Sequence, residues 1–90
     1  FEMQDIPAIA EEAHARGAVV ISDNTWATML HFRPFEKGVD ISMHSATKYI
    51  NGHADVVMGA LTCKEAHYAP LLRTARHFGA AVSGDECYLA

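Results

Sequence analysis

The chain has 90 residues, half of them hydrophobic and 20% charged, with a formal net charge of −4. That composition suits a globular domain and is too apolar for a disordered one. It carries no basic stripe to invite nucleic acid or an anionic membrane surface, and no apolar run near the roughly 20 residues of a membrane-crossing helix. No charged start precedes an apolar signal region, so a cytoplasmic location is the default expectation. Cys63 and Cys87 are too sparse for a disulfide scaffold and too far apart for a zinc ribbon, and both read as reduced structural residues. The histidines form no H-x-x-x-H pair with an acidic partner, so no metal is assigned.

Taken in chain order, Asp5 reads as the N-cap of a first helix, with Pro7 tolerated in its opening turn. Ile6, Ile9, Ala10 and Ala13 form its apolar stripe, Glu11, Glu12 and Arg16 face water, and Gly17 closes it. His14, near its end, is expected on the solvated surface. The unbroken apolar run Ala18–Ile21 predicts a parallel strand covered on both faces and ending at Asp23. The chain then loops, with Trp26 packing inward or, as the alternative, touching a cofactor or substrate, and Pro34 marking a turn or a short helix.

Val39–His44 reads as the second strand, with His44 half-buried, and Tyr49–Ala54 as a loop in which Gly52 permits a positive φ. His53 and Asp55 are spaced to pair and pin that loop. Val56–Cys63 is a third strand, and the gap before it is too short for a helical crossover, which predicts antiparallel pairing. Lys64–Phe78 reads as helical, with Leu71, Leu72, Ala75 and Phe78 near one face and Pro70 in a break or an early turn. A last helix opens at Ser83 or Asp85. The fold class is α/β, no repeat or internal boundary divides residues 1–90, and the chain reads as a fragment of a longer protein.

The chemistry gathers where strands end. Lys48 follows the second strand among small hydroxyl residues, where a long cation is expected to be held rather than free in water. An amine becomes a nucleophile when partial burial or a nearby cation weakens its hold on a proton, so Lys48 is a candidate Schiff-base former. Ser45 and Thr47 supply hydroxyl donors, and the amides of a turn can face an anion such as a phosphate. Asp23 ends the preceding strand, and ligands of open α/β sheets bind at the carboxyl ends of strands, so Asp23 and Lys48 should face one crevice. Pyridoxal phosphate needs this set: a lysine for its aldehyde, a carboxylate for its pyridinium nitrogen and donors for its phosphate. A lysine that simply reaches solvent is the plainer alternative.

Asp23-Asn24-Thr25-Trp26-Ala27 and Ser45-Ala46-Thr47-Lys48-Tyr49-Ile50-Asn51-Gly52-His53 resemble the two signatures of the Cys/Met-metabolism, or trans-sulfuration, family of pyridoxal phosphate enzymes. Similarity runs from about Ala18 to Ala90, where Asp85–Ala90 resembles the start of a helix that follows in the family. Ala54 stands where the family more often has Ser, Gly or Asn. The resemblance implies part of the large cofactor domain of the aminotransferase-type (fold type I) architecture, a mostly parallel sheet with one antiparallel strand. It implies pyridoxal 5'-phosphate held by Lys48, Asp23, Ser45 and Thr47, with Lys48 catalytic, a small sulfur amino acid as substrate, and a homotetramer. Asp23→Ala should weaken coenzyme binding far more than Asp40→Ala, since Asp40 carries no assigned role. Trp26, where the γ-acting branches usually carry Phe, points to the β-lyase branch, which eliminates cystathionine to homocysteine, pyruvate and ammonia in methionine biosynthesis. The γ-carbon branches share the cofactor residues and stay open. So does a non-catalytic or nucleotide-binding α/β domain, although the chain lacks G-x-G-x-x-G and G-x-x-x-x-G-K-[ST].

Overall fold

The computed structural model describes residues 2–90. In chain order these form α1 (Ile6–Ala15), β1 (Ile21–Asp23), α2 (Thr28–His31), a 3₁₀ turn (Pro34–Lys37), β2 (Ile41–Ser45), β3 (Gly59–Cys63), α3 (Glu65–His77) and α4 (Gly84–Leu89). Local signals set most of these ends. Asp5 Oδ1 accepts the Ala8 amide at 3.2 Å, satisfying one of the free donors at the start of α1. Ser83, rather than Asp85, caps α4 through a reciprocal capping box with Glu86. The break expected at Pro70 does not occur. Helix α3 runs through it with that one donor missing, while its first and last turns stay bonded, His67 N to Lys64 O and Phe78 N to Thr74 O, both at 3.0 Å.

The sheet has the order β1-β2-β3. β1 and β2 are parallel, with Ile21 opposite Ile41 and Asp23 opposite Met43. β2 and β3 are antiparallel, with Ser45 opposite Gly59, as the short connection between them requires. All three strands start later than expected, β2 at Ile41 rather than Val39; at β1 and β3 side chains from elsewhere capture the backbone first. The Val20 amide donates to the Asp40 carboxylate at 2.9 Å, so β1 begins only at Ile21. Both backbone groups of Met58 are taken by Thr47, so β3 begins at Gly59.

The core is small: Ala10, Val39, Ile41, Ala46 and Val56 are buried. The expectation that β1 is covered on both faces is not met, since Val19 is 48% and Ile21 61% exposed. Among the described residues β1 is an edge strand, and no helix lies over that face of it. The apolar face of α3 likewise stays half-buried, and Phe78 is exposed.

Helix α1 is seated by a close approach. Gly38 closes the 3₁₀ turn at φ +91°, and a Cβ placed on it would lie 2.6 Å from the Ala10 Cβ. Gly38→Ala therefore combines left-handed backbone strain with overpacking, and is expected to cost the full-length protein about 3 kcal/mol in denaturant unfolding. An unchanged midpoint would show that the α1 contact is not rigid.

A buried carboxylate ties the amino-terminal end of the parallel pair together. Asp40 Oδ1 accepts from Lys64 Nζ at 2.8 Å, and its Oδ2 accepts from the Val20 amide at 2.9 Å and from His14 Nε2 at 2.8 Å. One side chain thus joins α1, the entry to β1, β2 and the chain leaving β3. His14 is on the surface as expected, and its ring nevertheless reaches the Asp40 carboxylate. Burial pushes the Asp40 carboxyl up, but Lys64, the Val20 amide and His14 together pull it down further, leaving it well below the usual carboxylate range.

Candidate active site

The opposite end of the sheet, where β1 and β2 both run out, carries the residues singled out for chemistry. Asp23 is the last residue of β1, and its Oδ1 accepts two bonds from Thr25: the amide at 2.9 Å and the hydroxyl at 2.6 Å. This is an Asx turn reinforced by a second donor. Thr25 Oγ1 in turn accepts the Ser45 amide at 2.9 Å, so the end of β1 is hydrogen-bonded to the end of β2. Thr25's hydroxyl, then its amide, hold the Asp23 carboxyl below the usual range against a smaller opposing push from burial, and the charge of His44 lowers it further.

Beyond Ser45 the chain turns tightly. Lys48 N donates to Ser45 O at 3.0 Å, Asn51 N to Ala46 O at 3.0 Å and Gly52 N to Lys48 O at 2.8 Å, over a wholly buried Ala46. Thr47 anchors this turn: its Oγ1 accepts the Met58 amide at 3.0 Å and donates to Met58 O at 3.3 Å, while its own amide also reaches Met58 O at 3.1 Å. These bonds fix the Lys48 backbone. Its side chain is exposed and takes no hydrogen bond among the described residues, contrary to the expectation of a held ammonium. The turn clamps main chain only, and no other described element closes over the amine.

Asn51, which the sequence reading left without a role, organises the rest of the loop. Buried at 6% exposure, it donates from Nδ2 to Asp55 Oδ1 at 2.8 Å and accepts from His53 Nδ1 at 2.8 Å. The expected His53–Asp55 pair is absent because Asn51 stands between them and satisfies each. A carbonyl can only accept, so Nδ1 of His53 carries the proton. Gly52 has the positive φ expected of it, +78°, and the next residue but one, Ala54, is also left-handed at φ 60°. That conformation costs an L-residue about 1–2 kcal/mol. Ala54→Gly is expected to raise full-length stability by a net of about 0.5–1 kcal/mol, after glycine's greater unfolded-state freedom is counted. A thermal or denaturant midpoint that falls instead would mean the Ala54 methyl makes a contact that outweighs the strain.

His44 is buried at 7% exposure, deeper than the half-buried position expected of it. Trp26 is 71% exposed rather than packed inward, and with Met29 and Tyr49 it lines an open groove beside the Lys48 turn. The loop that carries it is held by buried Asn24, whose Nδ2 donates to Thr28 O at 3.0 Å and Phe32 O at 3.1 Å. Thr28 pays for that closure with φ 57°, an outlier for a β-branched residue.

The donor set fits pyridoxal phosphate. Both Thr25 bonds fall on Asp23 Oδ1, which leaves Oδ2 with no partner among the described residues and open to a ring N–H. The Ser45 hydroxyl likewise has no partner among them, and an exposed primary amine lies three residues on in the same turn. Over residues 1–90 the chain matches the family described as Cys/Met metabolism PLP-dependent enzyme. It is 40% identical over 91 residues to cystathionine beta-lyase of Bordetella avium, covering 100% of this chain and 23% of that protein. To cystathionine gamma-lyase of Dictyostelium discoideum it is 44% identical over 91 residues, covering 100% of this chain and 24% of that protein. It superposes on the crystal structure of cystathionine gamma synthase from Xanthomonas oryzae pv. oryzae in complex with aminoacrylate and cysteine with a TM-score of 0.93 at 34% identity, covering 98% of this chain and 23% of that one.

Fold and site thus define part of the large PLP-binding domain of the aminotransferase-type, fold type I architecture. The chain belongs to the Cys/Met-metabolism family of PLP-dependent enzymes. It spans about a quarter of the length of the relatives it matches.

Proposed function

We propose that the protein containing this chain is a cytoplasmic, homotetrameric carbon–sulfur lyase that cleaves cystathionine with water at its β-carbon, releasing homocysteine, pyruvate and ammonia. The observation that supports the reading is the hydrogen-bonded meeting of Asp23, Thr25 and Ser45 beside the Lys48 turn, with an exposed amine and an unshared carboxylate oxygen at adjacent strand ends. When bound, the coenzyme supplies a sink for the electron pair left as the substrate Cα–H bond breaks.

The chain's own groups divide the remaining work. Lys48 Nζ would hold the coenzyme through its aldehyde, and the same amine would carry the substrate Cα proton as base and acid. Asp23 Oδ2 keeps the proton on the ring nitrogen, a role that suits a carboxyl already held ionised by Thr25. Ser45 Oγ and Thr47 Oγ1 would hold the phosphate, Thr47 keeping the Met58 amide that anchors the turn.

Elimination at the β-carbon is favoured by Trp26, at a position where γ-acting members usually have Phe. A γ-carbon reaction is the second reading, favoured by the likeness to the Dictyostelium γ-lyase and the Xanthomonas γ-synthase. Product analysis of the full-length protein with cystathionine separates them. Pyruvate with homocysteine is the expected outcome, and 2-oxobutyrate with cysteine would overturn it in favour of γ-elimination.

A further inference from the structure

We propose that Thr25 is a positioning residue: its hydroxyl sets the Asp23 carboxylate so that Oδ2 alone is left for the coenzyme's ring nitrogen, and ties that carboxylate to the turn that carries Ser45, Thr47 and Lys48. The inference rests on the coenzyme reading above. Its geometry is a one-way chain. The Ser45 amide can only donate, and it donates to Thr25 Oγ1 at 2.9 Å. An ionised carboxylate can only accept, and Asp23 Oδ1 accepts the Thr25 hydroxyl proton at 2.6 Å. The direction of every bond is therefore fixed, and the single hydroxyl proton of Thr25 is committed to Asp23 rather than to a phosphate or a substrate.

Two consequences follow. First, a carboxylate whose Oδ1 is doubly bonded by Thr25 cannot rotate to present either oxygen, so Oδ2 is preorganised for a ring N–H. Second, a charge-assisted donor on Asp23 weakens its own claim on a proton, which leaves that proton on the ring nitrogen, where an electron sink needs it. Because the same Oγ1 holds the Ser45 amide, a shift of Asp23 is passed to the phosphate-binding turn. The two halves of the coenzyme site then move as one unit.

The test uses full-length protein in three forms: wild type, Thr25→Val, which keeps the shape and loses the hydroxyl, and Thr25→Ser, which restores it. Each is stripped of coenzyme and titrated with pyridoxal phosphate, and the ¹⁵N shift of the ring nitrogen is recorded at saturation. A hydrogen bond to a charged group corresponds to roughly a ten- to hundredfold change in affinity. Thr25→Val should weaken coenzyme binding by about that factor and move the ring nitrogen toward its unprotonated shift, while Thr25→Ser stays within about threefold of wild type with a protonated nitrogen. Wild-type affinity and an unchanged nitrogen shift in Thr25→Val would overturn the inference while leaving the coenzyme assignment standing. A wild-type protein that takes up no pyridoxal phosphate would overturn the assignment itself. Should Thr25→Val fail to fold, the Asp23 carboxyl ¹³C titration of the unmutated apoprotein decides. A midpoint below the ordinary carboxylate range supports the Thr25 bond, and one at or above that range refutes it.

Discussion

Replacing Lys48 with alanine in the full-length protein is expected to abolish elimination, lowering turnover by at least about a thousandfold, and to remove the yellow chromophore that borohydride reduces. Proton transfer by a positioned side chain alone contributes roughly 10²–10⁴-fold, and Lys48 is assigned both that task and the covalent hold on the coenzyme. Stability of the coenzyme-free protein should hardly change. The Lys48 side chain is exposed and without a hydrogen bond among the described residues, so its truncation belongs with surface substitutions worth within about 0.5 kcal/mol. Large loss of activity with an unmoved unfolding midpoint is the signature of a chemical role. Lys37→Ala, in the exposed 3₁₀ turn, serves as the control and should keep activity and colour. A fully active, coloured Lys48→Ala would reject the assignment.

A stability effect as large as that of Gly38→Ala is expected at Asp40. Asp40→Ala leaves the Val20 amide without its acceptor and strips Lys64 and the His14 ring of their carboxylate. Losing one member of a buried ion pair typically costs 3–5 kcal/mol; here both partners can turn to water, His14 and Lys64 being 41% and 42% exposed, so a loss of about 3 kcal/mol is expected. The pH dependence has a definite sign. The folded-state carboxyl lies below its ordinary value, so its stabilisation is fully present above the usual carboxylate pKa of about 4 and drains away as pH falls below it. Wild type should therefore lose more stability on acidification than Asp40→Asn does, and equal acid slopes would contradict the paired-carboxylate picture. Coenzyme affinity per folded molecule should be nearly untouched, because Asp40 sits at the far end of the sheet from Lys48. Asp40 is thus a usable contrast to Asp23 for coenzyme binding but a poor neutral control for stability.

Much of this arrangement was legible before any coordinates, and the reasons are local. Helix starts at Asp5 and Ser83 follow from capping chemistry, and the antiparallel β3 follows from a connection too short to cross over. Strand beginnings were not legible, since β1 and β3 are delayed by Asp40 and Thr47, side chains distant in sequence that claim the Val20 and Met58 backbone. Burial was misjudged at Ile21 and Trp26 because an apolar run states what a residue favours and not which element is present to cover it. At the proposed site, Asp23, Ser45, Thr47 and Lys48 are singled out in the sequence by their places at two strand ends. Thr25 and Asn51 were passed over, although an Asp followed two residues later by Thr is the spacing of an Asx turn and did carry a signal.

The account stands on the bond between one amine and one aldehyde. Borohydride reduction of the full-length protein with its coenzyme, followed by proteolysis and mass mapping, reads that bond directly. The expected result is a single pyridoxyl label on Lys48. A label on another lysine, or a coloured protein that yields no labelled peptide, would contradict it.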